Sequence, residues 1–332
     1  MRLLKRIFKT LFKVGLIGFI TLVCFEICYR YNVIDFYKTE ILALNSKKDL
    51  EKKNVDILVF GDSFSATSKA INYVDRLRNA NSKQTILNFS IPGTGIKQVN
   101  TFAASKIKTY KPKIIIYQIY VGNDLLDVEK FKAFNNISFP KYAFWQLSNT
   151  FLSLAYLNHK ANVFKSKVNY RHKAIVDSVF NKESYNRRSK DNININSNYI
   201  EETTHLNGVF KAKYTKWLKQ IKQFLNEVPK DTEVYFLWIP HCSQVNTYYL
   251  NNFKSMNAIF NDEYKHLNIE YSFLNKARED LKSINNLHHL NLLRYFKTSD
   301  TLNKRLYYAN DPHLNIYGNY ILFKCLNDFT KY

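Results

Sequence analysis

Cysteine is scarce in this chain, with four among 332 residues, and none stands at a spacing that would bind a metal. A zinc module is therefore excluded, and no metal or cofactor is expected. Cys24 and Cys28 lie in an N-terminal apolar segment, whereas Cys242 and Cys325 are far apart in the main body. The latter two read as unpaired, partly buried thiols, with pairing in an oxidising compartment as the alternative. No internal repeat is apparent, which excludes a repeat architecture. Acidic residues are also few: 27 Asp and Glu face 49 Lys and Arg, for a formal net charge of +22. Such a surplus raises nucleic acid or an anionic surface as a partner. The basic residues, however, are mostly lysines scattered among Asn, Ile and Tyr, a pattern that AT-rich coding produces without selection for binding. No nucleic-acid-binding module accompanies them, and no nucleic-acid partner is expected.

What is present is a globular composition, 46% hydrophobic and 23% charged, enough for one large core with an insertion. The chain begins with a basic flank, Arg2, Lys5, Arg6, Lys9 and Lys13, followed by the apolar run Val14 to Phe25. Glu26 interrupts and Ile27-Cys28-Tyr29 continues. The run is short against about 20 residues for a full span, but Lys13 and Arg30 can snorkel to the interfaces. No small-residue cleavage site follows it, nor does a small residue precede Cys24 or Cys28 as a lipidation site requires. A retained signal anchor is expected over residues 1–31, in preference to a cleaved signal peptide or a helix lying on the membrane. The positive flank places the N-terminus in the cytoplasm and the remainder outside it, periplasmic or extracellular. No function is read into Glu26.

Residues 32–54 read as a Lys-rich juxtamembrane stalk, and the folded domain is expected over 55–332. Its apolar runs alternate with helical segments: strands at 55–60, 85–90 and 113–120, and helices at about 65–79 and 96–110. This is the rhythm of a parallel sheet with helices on both faces. It breaks at about 127–206, read as a mostly helical and loop insertion rich in aromatics such as Phe131, Phe134, Tyr142, Phe144 and Trp145. It resumes with a helix at 207–227, a strand at 233–239, a helix at about 247–266, a strand near 268–273 and a closing helix at about 315–330.

Four short motifs fall at the ends of these runs. Gly61-Asp62-Ser63 follows the first strand, where an exposed hydroxyl could act as a nucleophile if a base lies beside it; by itself, Ser63 or Ser65 reads equally as a helix cap. Gly93, with Gly95 as its competitor, follows the second strand, where a glycine lets backbone approach a ligand and offer its N–H. Asn123, in Gly122-Asn123-Asp124, follows the third strand and offers a side-chain amide to an oxyanion, or is simply a turn residue; Asp124 reads as structural. Near the C-terminus, His313 is the candidate general base and Asp311 the carboxylate that orients it. Pro312 favours an extended predecessor, so positions 311 and 313 face the same way. Among the other histidines only His241 follows a strand, and it reads as a surface-loop residue.

In this order and at these positions the motifs resemble the four blocks of the SGNH hydrolases, also called the GDSL family, over residues 55–330 outside the insertion. The resemblance implies an α/β fold, a three-layer α/β/α sandwich around a flavodoxin-like parallel sheet. It further implies a Ser63-His313-Asp311 triad, an acyl-enzyme, and an oxyanion hole made by the N–H groups of Ser63 and Gly93 with the Asn123 amide. The common family pattern has Asp three residues before His, where this chain has Asn310; the Asp-x-His spacing is similar to the alginate O-acetyltransferase-like branch. An ordinary α/β-hydrolase is disfavoured, because the serine follows the first strand and its pentapeptide ends in Ser65 rather than Gly. The expected activity is hydrolysis of acyl esters, carried by carbohydrates. A carbohydrate O-acetyltransferase is the alternative, and a non-catalytic glycan- or protein-binding module built on Trp145 and its neighbours is the second.

Overall fold

The computed structural model describes residues 2–66, 72–129, 138–169 and 179–327, with the backbone alone at 2, 3 and 162–169. In chain order, α1 (Arg2–Arg30), α2 (Lys38–Leu44) and α3 (Lys47–Leu50) precede the first strand, β1 (Ile57–Phe60). Then come α4 (Tyr73–Ala80), β2 (Ile86–Asn88), α5 (Ile96–Tyr110) and β3 (Ile114–Tyr120). The expected insertion holds α6 (Asp124–Val128), α7 (Phe139–Thr150), α8 (Leu152–Asn169), α9 (Arg187–Ile195) and α10 (Tyr199–His205). After it follow α11 (Phe210–Asn226), β4 (Glu233–Ile239), α12 (Cys242–Val245), α13 (Thr247–Ser255), α14 (Glu263–Asn268), α15 (Ser272–Leu281) and β5 (Leu287–Asn291). The chain closes with α16 (Leu293–Ser299), the short pair β6 (Tyr307–Tyr308) and β7 (Asp311–Leu314), and α17 (Ile316–Asn327).

The five principal strands form one parallel sheet in the order β2-β1-β3-β4-β5. That is the flavodoxin-like doubly wound order, whose direction of winding reverses between β1 and β3 and opens a crevice at their carboxyl ends. β1 and β3 are apolar runs covered on both faces, as buried parallel strands must be. Helices carry the complementary stripes: Val99, Phe102, Ala103 and Ile107 of α5 and Trp217, Ile221 and Phe224 of α11 are buried.

Two expected elements differ. The run near 268–273 is not a strand: Phe273, Leu274, Ala277 and Leu281 recur at helical spacing and form the buried face of α15. The fifth strand is β5, an edge strand whose two histidines and half-buried leucines give it little apolar signal. The helix expected at 65–79 is α4, which starts at Tyr73 with Asn72 as its cap, Asn72 Oδ1 accepting from Asp75 N at 3.0 Å. Ser63 and Ser65 therefore do not cap it. The helix expected at 247–266 is broken into α13 and α14. Phe131 and Phe134 lie outside the described residues.

α1 is long and apolar enough over Leu4–Arg30 to cross a membrane. Its last turns are part of the folded body. Glu26 is buried and accepts hydrogen bonds from the N–H groups of Leu152 (2.9 Å) and Ser153 (2.8 Å) at the start of α8. Arg30 pairs with Glu26 and donates to the carbonyl of Thr150. The segment read as a stalk is packed likewise: Phe36, Tyr37 and Ile41 are buried, and Asn45 accepts from Asn88 N at the end of β2 (2.7 Å). The insertion divides in two. α8 packs on α1, its Tyr156 against Phe25, Tyr29, Phe36 and Tyr37. Residues 179–186 lie against Asn310 and Asp311 at the start of β7, and Ser197 and Glu201 against residues 259–262.

Candidate active site

The turn after β1 carries Ser63 to the crevice between β1 and β3. A side chain at Gly61 would place its Cβ 2.6 Å from Gln118 Oε1, so only glycine lets this turn pass over β3. Gln118 in turn accepts from Asp62 N at 3.1 Å. Asp62 closes the turn from within, its Oδ1 accepting from Phe64 N (3.0 Å). These contacts leave the Ser63 hydroxyl half-exposed while its neighbours on both sides are buried.

β7 delivers the base. Asp311 and His313 lie two apart on this short strand, and both side chains reach the crevice. His313 Nε2 lies 2.7 Å from Ser63 Oγ, and His313 Nδ1 is hydrogen-bonded to Asp311 Oδ1. The same carboxylate oxygen accepts from His313 N at 2.9 Å. The ring also lies against Phe64, centroid to centroid 4.8 Å, and Phe64 packs on Tyr120. The Asn310 side chain accepts from Asn181 N (2.6 Å) and donates to the carbonyl of Val179 (2.9 Å), whereas the imidazole Nδ1 is bonded to Asp311.

The electrostatics follow from the pairing. Burial lowers the pKa of His313, but the Asp311 carboxylate against its ring outweighs this, and the net shift is upward. Burial raises Asp311, yet the imidazole beside it and the hydrogen bonds it accepts leave its pKa below the ordinary value. Asp62 is raised by burial, only partly offset by the N–H of Phe64 and the amide of Asn123. Asp124 is raised well above the usual carboxylate range, by burial and then by Asp62, while its Oδ2 accepts from Tyr120 N.

Asn123 stands at the end of β3, and its Nδ2 donates to Asp62 Oδ2 at 3.0 Å. That bond fixes which way the amide points, because the flipped amide would set its oxygen against a carboxylate. The loop after β2 is tied to the nucleophile turn by Ile91 N donating to Gly61 O at 3.0 Å. On that loop Gly93 has φ +74, a conformation that favours glycine. Among the described residues, the N–H groups of Ser63 and Gly93 have no hydrogen-bond acceptor. Gly95 differs: its N–H donates to Gln98 Oε1 at the start of α5.

His241 is not on the surface. It is buried beside Tyr120, its Nδ1 lies 2.7 Å from Ser243 Oγ, and Ser243 Oγ lies 2.9 Å from His266 Nε2. Cys242 and Cys325 are both buried thiols. Sequence reasoning missed the support of the site: Asp62 and Gln118 beneath the turn, and Asn186 and Arg188 from the insertion. Asn186 Nδ2 donates to Asp311 Oδ2 at 3.0 Å, and Arg188 Nη2 to Asp127 Oδ1 at 2.7 Å. Nothing in a polar stretch of Asn, Arg and Ser announces such contacts. Among the described residues no cluster of His, Cys, Asp and Glu side chains could hold a metal ion.

No protein-family model matches the chain, and no curated protein matches it in sequence. Among solved structures it is similar to the lipase Lip_vut3 from a goat rumen metagenome, at 11% identity and TM-score 0.38, covering 84% of this chain and 98% of that one. It is also similar to catalytic mutants of Axe2, an acetylxylan esterase from Geobacillus stearothermophilus. One has 9% identity and TM-score 0.41, another 11% and 0.40, each covering 84% of this chain and 95% of the other.

Proposed function

We propose that the protein is a membrane-anchored serine ester hydrolase of the SGNH type, acting outside the cytoplasm on acyl esters carried by carbohydrates. The observation that carries this reading is the contact of Ser63 Oγ with His313 Nε2 at 2.7 Å, with Asp311 on the opposite ring nitrogen. His313 Nε2 takes the hydroxyl proton as Ser63 Oγ attacks the acyl carbonyl. Asp311 holds the tautomer and stabilises the imidazolium. The N–H groups of Ser63 and Gly93 and the second N–H of Asn123 Nδ2 receive the oxyanion. Protonated His313 then gives its proton to the departing alcohol, and water, activated by the same imidazole, releases the acyl group from Ser63.

The Asp-x-His spacing favours a second reading, in which a sugar hydroxyl replaces water and the protein is an O-acetyltransferase. The same triad serves both, since they differ only in what the acceptor pocket admits. Full-length protein in detergent micelles, assayed on an aryl acetate with and without glycan acceptors, separates them. Hydrolysis abolished by Ser63→Ala supports the esterase, and acetylated glycan at the expense of acetate supports the transferase. Equal activity of wild type and Ser63→Ala overturns the Ser63 mechanism, and no activity in either leaves a non-catalytic binding module.

A further inference from the structure

Residues 179–188 cross from one side of the site to the other. At one end the segment is fastened to the residue before the triad acid: Asn310 Oδ1 accepts from Asn181 N, Asn310 Nδ2 donates to Val179 O, and Asn310 O accepts from Asn186 N at 2.8 Å. At the other, Arg188 reaches Asp127, whose own N–H donates to Asn123 O at 2.8 Å. Asn186 lies between these fastenings, and its side chain faces two ways. Its Oδ1 caps α9 by accepting from Ser189 N (3.1 Å), which fixes the amide so that Nδ2 points at Asp311 Oδ2 (3.0 Å).

Asp311 therefore has both oxygens committed: Oδ1 to the N–H and ring of His313, Oδ2 to Asn186. A carboxylate on a two-residue offset along a strand can rotate about χ2. A neutral donor on the distal oxygen stops that rotation and holds the near oxygen in line with the ring. It does so without adding a charge beside the acid. Asp311, Asp62 and Arg188 are the charged groups that act on the imidazole, and Asn186 adjusts the first of them.

Resting on the serine-hydrolase reading above, we propose that Asn186 is a positioning residue for Asp311, so that the inserted segment completes the triad. Its test uses two substitutions that preserve the helix cap, because Asp and Ser cap as well as Asn. Asn186→Ser removes the donor without adding charge, and Asn186→Asp replaces it with a second carboxylate beside Asp311. Full-length protein in detergent is assayed on an aryl acetate across pH, with Ser63→Ala in parallel and thermal unfolding followed for each variant. Both variants are expected to unfold within a few degrees of wild type and to lose about tenfold or more in kcat with little change in KM, as for a hydrogen bond to a charged group. In Asn186→Asp the acid limb of kcat/KM also moves to higher pH, since a second negative charge stabilises the imidazolium. An inactive Ser63→Ala beside Asn186 variants with wild-type kcat and pH profile overturns the positioning role and leaves the hydrolase reading standing. An active Ser63→Ala instead overturns the hydrolase reading itself.

Discussion

Asn123 Nδ2 donates to Asp62 Oδ2 across 3.0 Å, so Asp62 orients the amide that the proposed mechanism offers to the oxyanion. One amide hydrogen is fixed on Asp62, and the proposed mechanism assigns the other to the oxyanion. Asn123→Ala is expected to lower kcat by roughly 100- to 1,000-fold with a small effect on KM, the size found on losing one oxyanion donor. Asp62→Asn should give a smaller loss in kcat, since it frees the amide without removing it. Steady-state kinetics on an aryl acetate check both, and an Asn123→Ala enzyme with wild-type kcat contradicts the assignment.

Asp311 raises the pKa of His313, and the base works only when neutral. The acid limb of kcat/KM should therefore lie above about 6.5, the ordinary histidine value. Asp311→Asn is expected to move that limb to lower pH and to cost on the order of 10,000-fold in kcat. Asn310→Ala, which loosens the contacts to Val179 and Asn181, should be far milder. The reverse order of damage would make Asn310 the more important partner.

Burial lowers the pKa of four histidines: His241 to about 3, His289 to about 4, His266 well below its ordinary value, and His205 below it. In the unfolded chain each titrates near about 6.5. Below that pH the unfolded state binds protons that the native state refuses, so stability falls as pH drops from about 6.5 towards 4. His313, Asp62 and Asp124 work the other way, their raised pKa values giving stability that is lost as pH rises through them, but they stand against four lowered histidines. Urea midpoints should thus decrease between pH 7.5 and 5. A midpoint that is flat or rises on acidification contradicts this account.

Glu26 joins the apolar helix to the body of the protein through Leu152 N, Ser153 N and Arg30. Glu26→Ala strands two buried N–H groups and is expected to cost about 1–3 kcal/mol. Glu26→Gln, which retains one acceptor oxygen, should cost less. Thermal unfolding of the full chain in detergent measures both, and equal melting of Glu26→Ala and wild type refutes the role.

Much of the architecture was legible along the chain because its signals are local. The buried runs of β1, β3 and β4 and the amphipathic face of α5 report their burial residue by residue, and each strand end is marked by the motif that follows it. β5 was missed because an edge strand needs little apolar surface, and α15 because Tyr271 and Phe273 also satisfy a period of two. His241 was misplaced because a polar residue after a strand gives no sign that later helices will cover it.

The sequence by itself determined that Ser63 and Asn123 would stand at the carboxyl ends of a parallel sheet and that Asp311 and His313 would share one extended stretch, since strand ends and turn chemistry are written locally. Only the tertiary structure decided what holds them there. The 250 residues between Ser63 and His313 close into a 2.7 Å contact through sheet winding. The polar contacts around the site, Asp62 with Asn123 and Asn186 with Asp311, and the distant joint of Glu26 with the start of α8, are a few hydrogen bonds each. Their partners lie tens to more than a hundred residues away, and no local pattern encodes a bond whose other half is so distant.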